Sequence, residues 1–389
     1  FFVISGFLIS SQIMQAVASG RFSFGDFYAR RIRRIFPSLL LMLAAVGVLG
    51  WCALLPDEWS ELRDHIGAST LFANNLLLWS QAGYFDRPSE LKPLLHLWSL
   101  GVEEQFYVVW PLILFASYGR LPWRRGIAIL CVASFAVNVW LVRWGGSSAA
   151  FLLPHARLWQ LAAGAYLASR VQEGGAAGGG SLRDLFSVAG VLLIAGACVF
   201  LARGQADNTY PGWAALLPTA GAWMVLAAGP GALLNRTVLS RRLMVAIGLI
   251  SYPLYLWHWP FLSFLQITEQ GDVSAGLKAS AIAVAVICAV VTFVAVERPV
   301  RRALTPVSPA AVMPLFFGMV VIGVVVFLSV TTSWFTPPSR TALQIDAAVR
   351  GDLNAGVCRQ RFPGLGEYCQ QFDPYLPVRT ALLGDSHAG

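Results

Sequence analysis

Apolar runs of roughly 17–25 residues recur along most of this chain, each long enough to cross a hydrocarbon core about 30 Å thick as a helix. No other feature limits the fold as strongly. Ten runs are read, near 1–16, 35–55, 97–118, 126–144, 151–169, 184–202, 212–229, 243–266, 275–296 and 311–331. The chain is 57% hydrophobic and 12% charged, about half the charged fraction of a soluble globular protein. The expected fold class is therefore an all-α polytopic membrane protein with about ten visible transmembrane helices, and its first partner is the lipid bilayer. A further stretch near 62–80 contains Asp64, His65, Asn74 and Asn75. It is too polar for a span and is expected at the interface or as a re-entrant segment.

Basic residues give the runs a direction, because Lys and Arg in short loops stay on the cytoplasmic side. The loops 17–34, 119–125, 170–183, 230–242 and 297–310 together hold sixteen Lys and Arg, against six in the alternate loops 56–96, 143–150, 203–211 and 267–278. The first visible run thus reads outside to inside, and the tail after residue 331 reads as exported. Topology also accounts for the net charge of +8: the basic residues are spread along one membrane side instead of being gathered on a soluble surface, which argues against a nucleic-acid partner.

The chain opens on Phe1-Phe2-Val3-Ile4, already apolar and without a Met, which predicts a lost start and at least one preceding span. Residues 171–182 read as a flexible Gly-rich linker between two sets of five runs. After Thr336-Pro337-Pro338 the tail turns polar. Residues 332–378 are expected as a periplasmic linker and 379–389 as the start of an exported α/β domain that stops too soon for a core. Of six cysteines, Cys52, Cys131, Cys198 and Cys288 fall in or beside apolar runs and read as packing residues. Cys358 and Cys369, in the exported tail, are expected to pair as a disulfide.

The segment His96-Leu97-Trp98-Ser99-Leu100-Gly101-Val102-Glu103-Glu104-Gln105-Phe106-Tyr107 puts two carboxyl groups into an apolar helix. Offsets of 0, 3, 7 and 11 set His96, Ser99, Glu103 and Tyr107 on one helical face, with Glu104 beside it. Ionisable groups in a span usually face a bundle interior and mark function; the alternative is a hydrogen-bonded network that only fixes helix packing. His155, Arg157 and His258 lie at comparable outer depth in other runs. His258, between Trp257 and Trp259, reads either as an interfacial anchor or as a base that meets His96 and Glu103 and takes the proton of a hydroxyl acceptor. On the other side, Arg30, Arg31, Arg33 and Arg34 put four guanidinium groups into five residues at an expected helix start. Membrane anchoring and a bidentate grip on a phosphorylated cytosolic donor both fit them. Last, Leu382-Leu383-Gly384-Asp385-Ser386-His387 ends an apolar, strand-like run in a turn that presents Ser386 as a candidate nucleophile. No metal site is read.

These segments together resemble the acyltransferase 3 family of bacterial membrane O-acyltransferases, in the subset with a C-terminal SGNH hydrolase-like domain. The resemblance is carried by FFVISGFLIS at 1–10, RRIRRIFP at 30–37, HLWSLGVEEQFYVVWP at 96–111, SYPLYLWHWP at 251–260, ERPVRR at 297–302 and LLGDSH at 382–387. It implies transfer of an acyl group, commonly acetyl from cytosolic acetyl-CoA, to a hydroxyl of an exported glycan, in the bacterial inner membrane. It implies a functional Arg-rich motif at Arg31 and Arg34, a membrane carboxylate at Glu103 and the SGNH nucleophile at Ser386. The family's essential Arg and His of the first membrane helix would precede Phe1, and Gln160 stands where relatives often have Glu, so this polypeptide alone is expected to be inactive. A transporter or flippase is the competing class. It would use the same intramembrane Glu, His and Arg as a pathway and often repeats its halves, and no repeat is evident.

Overall fold

A computed structural model describes residues 1–83, 86–117, 123–174, 179–204, 210–269, 273–305, 307–331 and 360. All of the elements among them are helical. In chain order they are α1 (Phe2–Ala18), α2 (Phe24–Ala53), α3 (Pro56–Thr70), α4 (Asn74–Gln81), α5 (Trp98–Ser117), α6 (Trp123–Trp140), α7 (Ser147–Leu152), α8 (Pro154–Gln172), α9 (Gly180–Ala202), α10 (Leu216–Ala228), α11 (Arg242–Glu269), α12 (Ala275–Thr292), α13 (Arg298–Ala303) and α14 (Pro309–Thr331). The ten apolar runs are all helical. Five segments are long and apolar enough to cross a membrane by length and composition: α2, Trp123–Gly145, α9, Ala275–Ala303 and Pro309–Ser329. α1 and Trp213–Ala228 are apolar but shorter.

Three boundaries differ from the sequence reading, each for a local reason. α2 begins at Phe24, so the Arg cluster lies inside the helix instead of opening it. Ser23 accepts the Asp26 backbone N–H (3.3 Å), a side-chain cap that starts the helix eleven residues before the apolar run. The run at 151–169 is broken between α7 and α8, where Pro154 opens the new helix because it needs no N–H partner there. The linker is also shorter than expected, since α8 runs to Gln172 and α9 starts at Gly180.

The chain divides into two units, Phe1–Gly47 with Leu62–Thr331, and Val48–Glu61 with Thr332–Gly389. In the second, the Leu55 N–H bonds the Glu58 carboxylate (3.0 Å) and caps the start of α3. The predicted disulfide between Cys358 and Cys369 and the whole segment 379–389 lie outside the described residues.

In the first unit α1 packs most extensively against α8. The seam is set by Gly6 and Gly164: a Cβ on Gly6 would fall onto the Leu161 backbone, and one on Gly164 onto the backbone at Val3 and Phe7. Small residues let two membrane helices approach to backbone contact in this way. α1 also meets α5, where Trp110 Nε1 donates to Ser10 Oγ (2.8 Å). In the polar stretch near 62–80 Asp64 is exposed, while the imidazole and amide groups find partners inside the bundle. His65, Asn74 and Asn75 are fully buried. Asn74 Oδ1 meets His65 Nδ1 (2.7 Å) while its amide donates to Leu94 O (2.8 Å). Asn75 donates to Leu152 O (3.1 Å) and accepts from Gln105 (2.9 Å).

Candidate active site

The carboxyl stripe of α5 is buried as one connected set. Glu103 accepts hydrogen bonds from the Ser5 hydroxyl of α1 and from the Tyr107 hydroxyl one turn further along α5. The Tyr107 ring lies under the Arg31 guanidinium, 5.2 Å from ring centre to Cζ, and Phe27 flanks the same cation at 5.7 Å. Arg31 Nη2 then donates to Gln12 Oε1 of α1 (2.8 Å). Ser5, Glu103, Tyr107 and Arg31 are all buried. Four side chains that the sequence assigns to opposite sides of a membrane therefore form a single polar file through the bundle, ending at Gln12.

The file has free capacity. Glu104, beside it, has a buried Oε1 without a hydrogen-bond partner, and Arg31 Nε is likewise unpartnered. Arg31 and Arg34 both act electrostatically on Glu103 and Glu104. Two carboxyl groups and one buried guanidinium share a region poor in water, where charge interactions are strong and unpaired polar atoms costly.

The other three arginines have different surroundings. Arg33 Nη1 donates to the carbonyl oxygens of Leu304 (2.9 Å) and Arg301 (3.4 Å), closing the end of α13. Arg30 and Arg34 are exposed. Glu297 is buried, receives the Ser38 hydroxyl (3.3 Å) and pairs with Arg301.

At the other end of α5, His96 and His258 come together, their rings 5.7 Å apart. Tyr255 joins them: its hydroxyl donates to His96 O (2.6 Å) and meets Ser99 Oγ (3.0 Å), and its ring packs edge-on to His96 at 5.1 Å. His258 Nδ1 lies 2.8 Å from Tyr255 O, so it carries the proton in that bond and leaves Nε2 as the acceptor in the neutral ring. Both His96 ring nitrogens are buried without a hydrogen-bond partner. His155 is exposed and Arg157 stacks on Trp98; neither bonds Glu103. Ser386 lies outside the described residues. Among the described residues no three His, Cys, Asp or Glu groups are arranged to hold a metal ion.

A family model described as an acyltransferase domain matches residues 1–334. The chain belongs to that acyltransferase family. The O-acetyltransferase OatA of Staphylococcus aureus is 26% identical over 315 residues, 78% of this chain and 52% of that protein. A Bacillus subtilis protein provisionally named peptidoglycan O-acetyltransferase YrhL is 28% identical over 326 residues, 77% of this chain and 49% of that one. A Komagataeibacter xylinus protein provisionally named membrane-bound transacylase BcsY is 28% identical over 303 residues, 77% of this chain and 74% of the relative. The chain thus spans about half the length of the first two. No solved structure matches it.

Within this acyltransferase domain, sequence reasoning missed Ser5, Gln12 and Tyr255 as members of the polar set. Ser5 and Gln12 carry a signal in hindsight, as hydroxyl and amide groups in an otherwise apolar run. Tyr255 carries none, since a Tyr near a membrane boundary reads as an interfacial anchor.

Proposed function

We propose that the chain is the membrane part of an O-acyltransferase that takes an acyl group, acetyl by preference, from cytosolic acyl-CoA and passes it to a hydroxyl of an exported glycan. The buried file from Gln12 through Arg31 and Tyr107 to Glu103 and Ser5 carries this reading. In this reading it runs from the end of the bundle that bears the exposed arginines toward the end that bears His96 and His258, which suits a reaction with its donor and acceptor on opposite membrane faces. The Arg census supports that orientation, with the bacterial inner membrane as the location.

In this reading Arg30 and Arg34, exposed and flexible, grip the donor's phosphates, while Arg31 holds positive charge inside the bundle where the acyl carbonyl develops negative charge. Glu103 holds Ser5 and Tyr107 in place and keeps Tyr107 against Arg31. His258, with Nδ1 tied to Tyr255 O, offers Nε2 to the acceptor hydroxyl and takes its proton as the acyl–oxygen bond forms; His96 is its neighbour in that transfer. Ser386 belongs to the exported segment and would complete delivery as a nucleophile. Arg33 is a strut for α13. The name of the Bacillus subtilis relative points to peptidoglycan as one acceptor.

Membranes containing the full-length protein, supplied with acetyl-labelled acetyl-CoA and an acceptor glycan, test the reading. Glu103→Gln should lower acyl transfer by about 10²–10⁴-fold with protein level unchanged. Unchanged transfer would remove Glu103 from the mechanism. Transport of a solute without any acyl transfer would replace the enzyme by a transporter.

A further inference from the structure

Arg157 takes no part in the file described above, although it is 1% exposed and among the largest fully buried side chains of the molecule. It lies in the first turn of α8. Side chains of a helix lean toward its N-terminal end, and Arg157 follows the rule: its Nε donates to Phe151 O (2.9 Å), on the chain before the helix begins. The rings of Phe151, Trp98 and Tyr210 stand 4.7, 5.2 and 5.6 Å from its guanidinium carbon. Aromatic faces attract the cation without occupying its N–H groups, although the Tyr210 side chain also takes one hydrogen bond from the guanidinium. Nη2 is left without a partner. Among the described residues no carboxylate lies within ion-pair distance of Arg157.

The helix end beside it is also positive and also uncompensated. α8 has no side-chain cap on its N-terminus and no acidic residue in its first turn; of its leading backbone N–H groups, that of Leu153 bonds Ala149 O, that of Ala156 bonds Leu153 O and Pro154 has none, which leaves that of His155. His155, next to Pro154, is exposed, so this end of the helix is accessible. A buried guanidinium with an unpartnered Nη2 and a helix start with one unbonded N–H, that of His155, lie in the same first turn.

We infer that the N-terminal end of α8 together with Arg157 is a binding site for an oxyanion, and that the anion is an acidic group, carboxylate or phosphate, of the acceptor. The second half rests on the orientation proposed above, which puts this helix end on the acceptor side; the anion site itself does not. The three rings lie against the guanidinium and take none of the bonds Nη2 can donate; its in-plane N–H groups suit an oxygen of a carboxylate or phosphate.

Thermal unfolding of the full-length protein in detergent, with inorganic phosphate or glucuronate as probe and chloride at equal ionic strength as reference, tests this. A saturable rise in Tm is expected with at least one probe, lost in Arg157→Gln and kept when Arg30 and Arg34 are both changed to Gln. Response to phosphate alone would mark a phosphoryl group, to glucuronate alone a carboxylate. Arg157→Lys keeps the charge but not the fork, and its half-saturating concentration should rise about tenfold. It carries the test if Arg157→Gln does not accumulate. No saturable response in the wild type, an equal response in Arg157→Gln, or an unchanged midpoint in Arg157→Lys would overturn the site. Loss of the response in the Arg30/Arg34 double variant alone would assign the anion to the other face and overturn it as well. Acyl transfer from labelled acetyl-CoA, measured on the same preparations, reads the enzymatic proposal separately: its absence beside an intact anion response would sink that proposal and leave the site standing.

Discussion

Arg31 and Arg157 are both buried arginines of one bundle, and they are neutralised in different ways. Arg31 has two aromatic rings, an amide partner in Gln12 and two carboxyl groups acting on it. Arg157 has three aromatic rings, one backbone carbonyl and a hydrogen bond with the Tyr210 side chain, and no carboxylate within ion-pair distance among the described residues. A buried cation with its counter-charge built in is part of a fixed internal network. One without it is half of an interaction that something else completes. The same residue type thus serves the interior file in α2 and, in our reading, a ligand in α8.

The joint between the two regions is the seam of Gly6 and Gly164, since α1 carries Ser5 and Gln12 while α8 carries Arg157. Gly164→Val places its branched side chain onto the α1 backbone, and no rotamer relieves that. The expected outcome is loss of folded protein, read as absence of a monodisperse peak on size exclusion after detergent extraction. A stable, monodisperse variant would show that the two regions do not depend on this contact.

Arg31→Gln breaks the first region alone. It removes the buried cation that stacks on Tyr107 and bonds Gln12 and should cost about 3 kcal/mol in stability, measured by unfolding in detergent. Arg157→Gln in buffer free of phosphate and carboxylate should cost clearly less, because no protein anion is left behind. Equal losses would erase the contrast drawn between the two arginines. Tyr107→Phe is a smaller change within the file. It removes one hydroxyl from a carboxylate, worth about 1.5–3 kcal/mol, and should lower acyl transfer without shifting the probe response at Arg157. The smallest effect is expected for Arg33→Ala, which deletes hydrogen bonds to the Leu304 and Arg301 carbonyls. A loss of about 1 kcal/mol in stability and unchanged affinity for acetyl-CoA would separate this strut from Arg30 and Arg34.

Much of the architecture was legible in the chain. The ten apolar runs are helices, and the offset rule that put Glu103 and Tyr107 on one face matches their hydrogen bond across one turn of α5. Boundaries were less legible where charge masks helicity. The segment before Ile35 reads as a basic loop, yet Arg favours helices and Ser23 with Asp26 was an available start signal. Pro154 likewise signalled a new helix inside an apolar run. For the polar stretch at 62–80 the sequence left an interfacial and a re-entrant placement open, because the buried partners of its amide groups lie on other segments.

The sequence by itself determined that this chain crosses a bilayer, in which direction its Arg clusters argue, and which helix faces carry ionisable groups. Those are properties of segments against their solvent, and hydropathy and period report them. Only the tertiary structure decided that Ser5 meets Glu103 across 98 residues of chain, that Arg31 turns inward while Arg33 ties down α13, and that Arg157 Nη2 is left without a hydrogen-bond partner. Such pairings depend on the rotation and depth at which helices lock together, which the backbone contacts at Gly6 and Gly164 help to set and no single helix encodes.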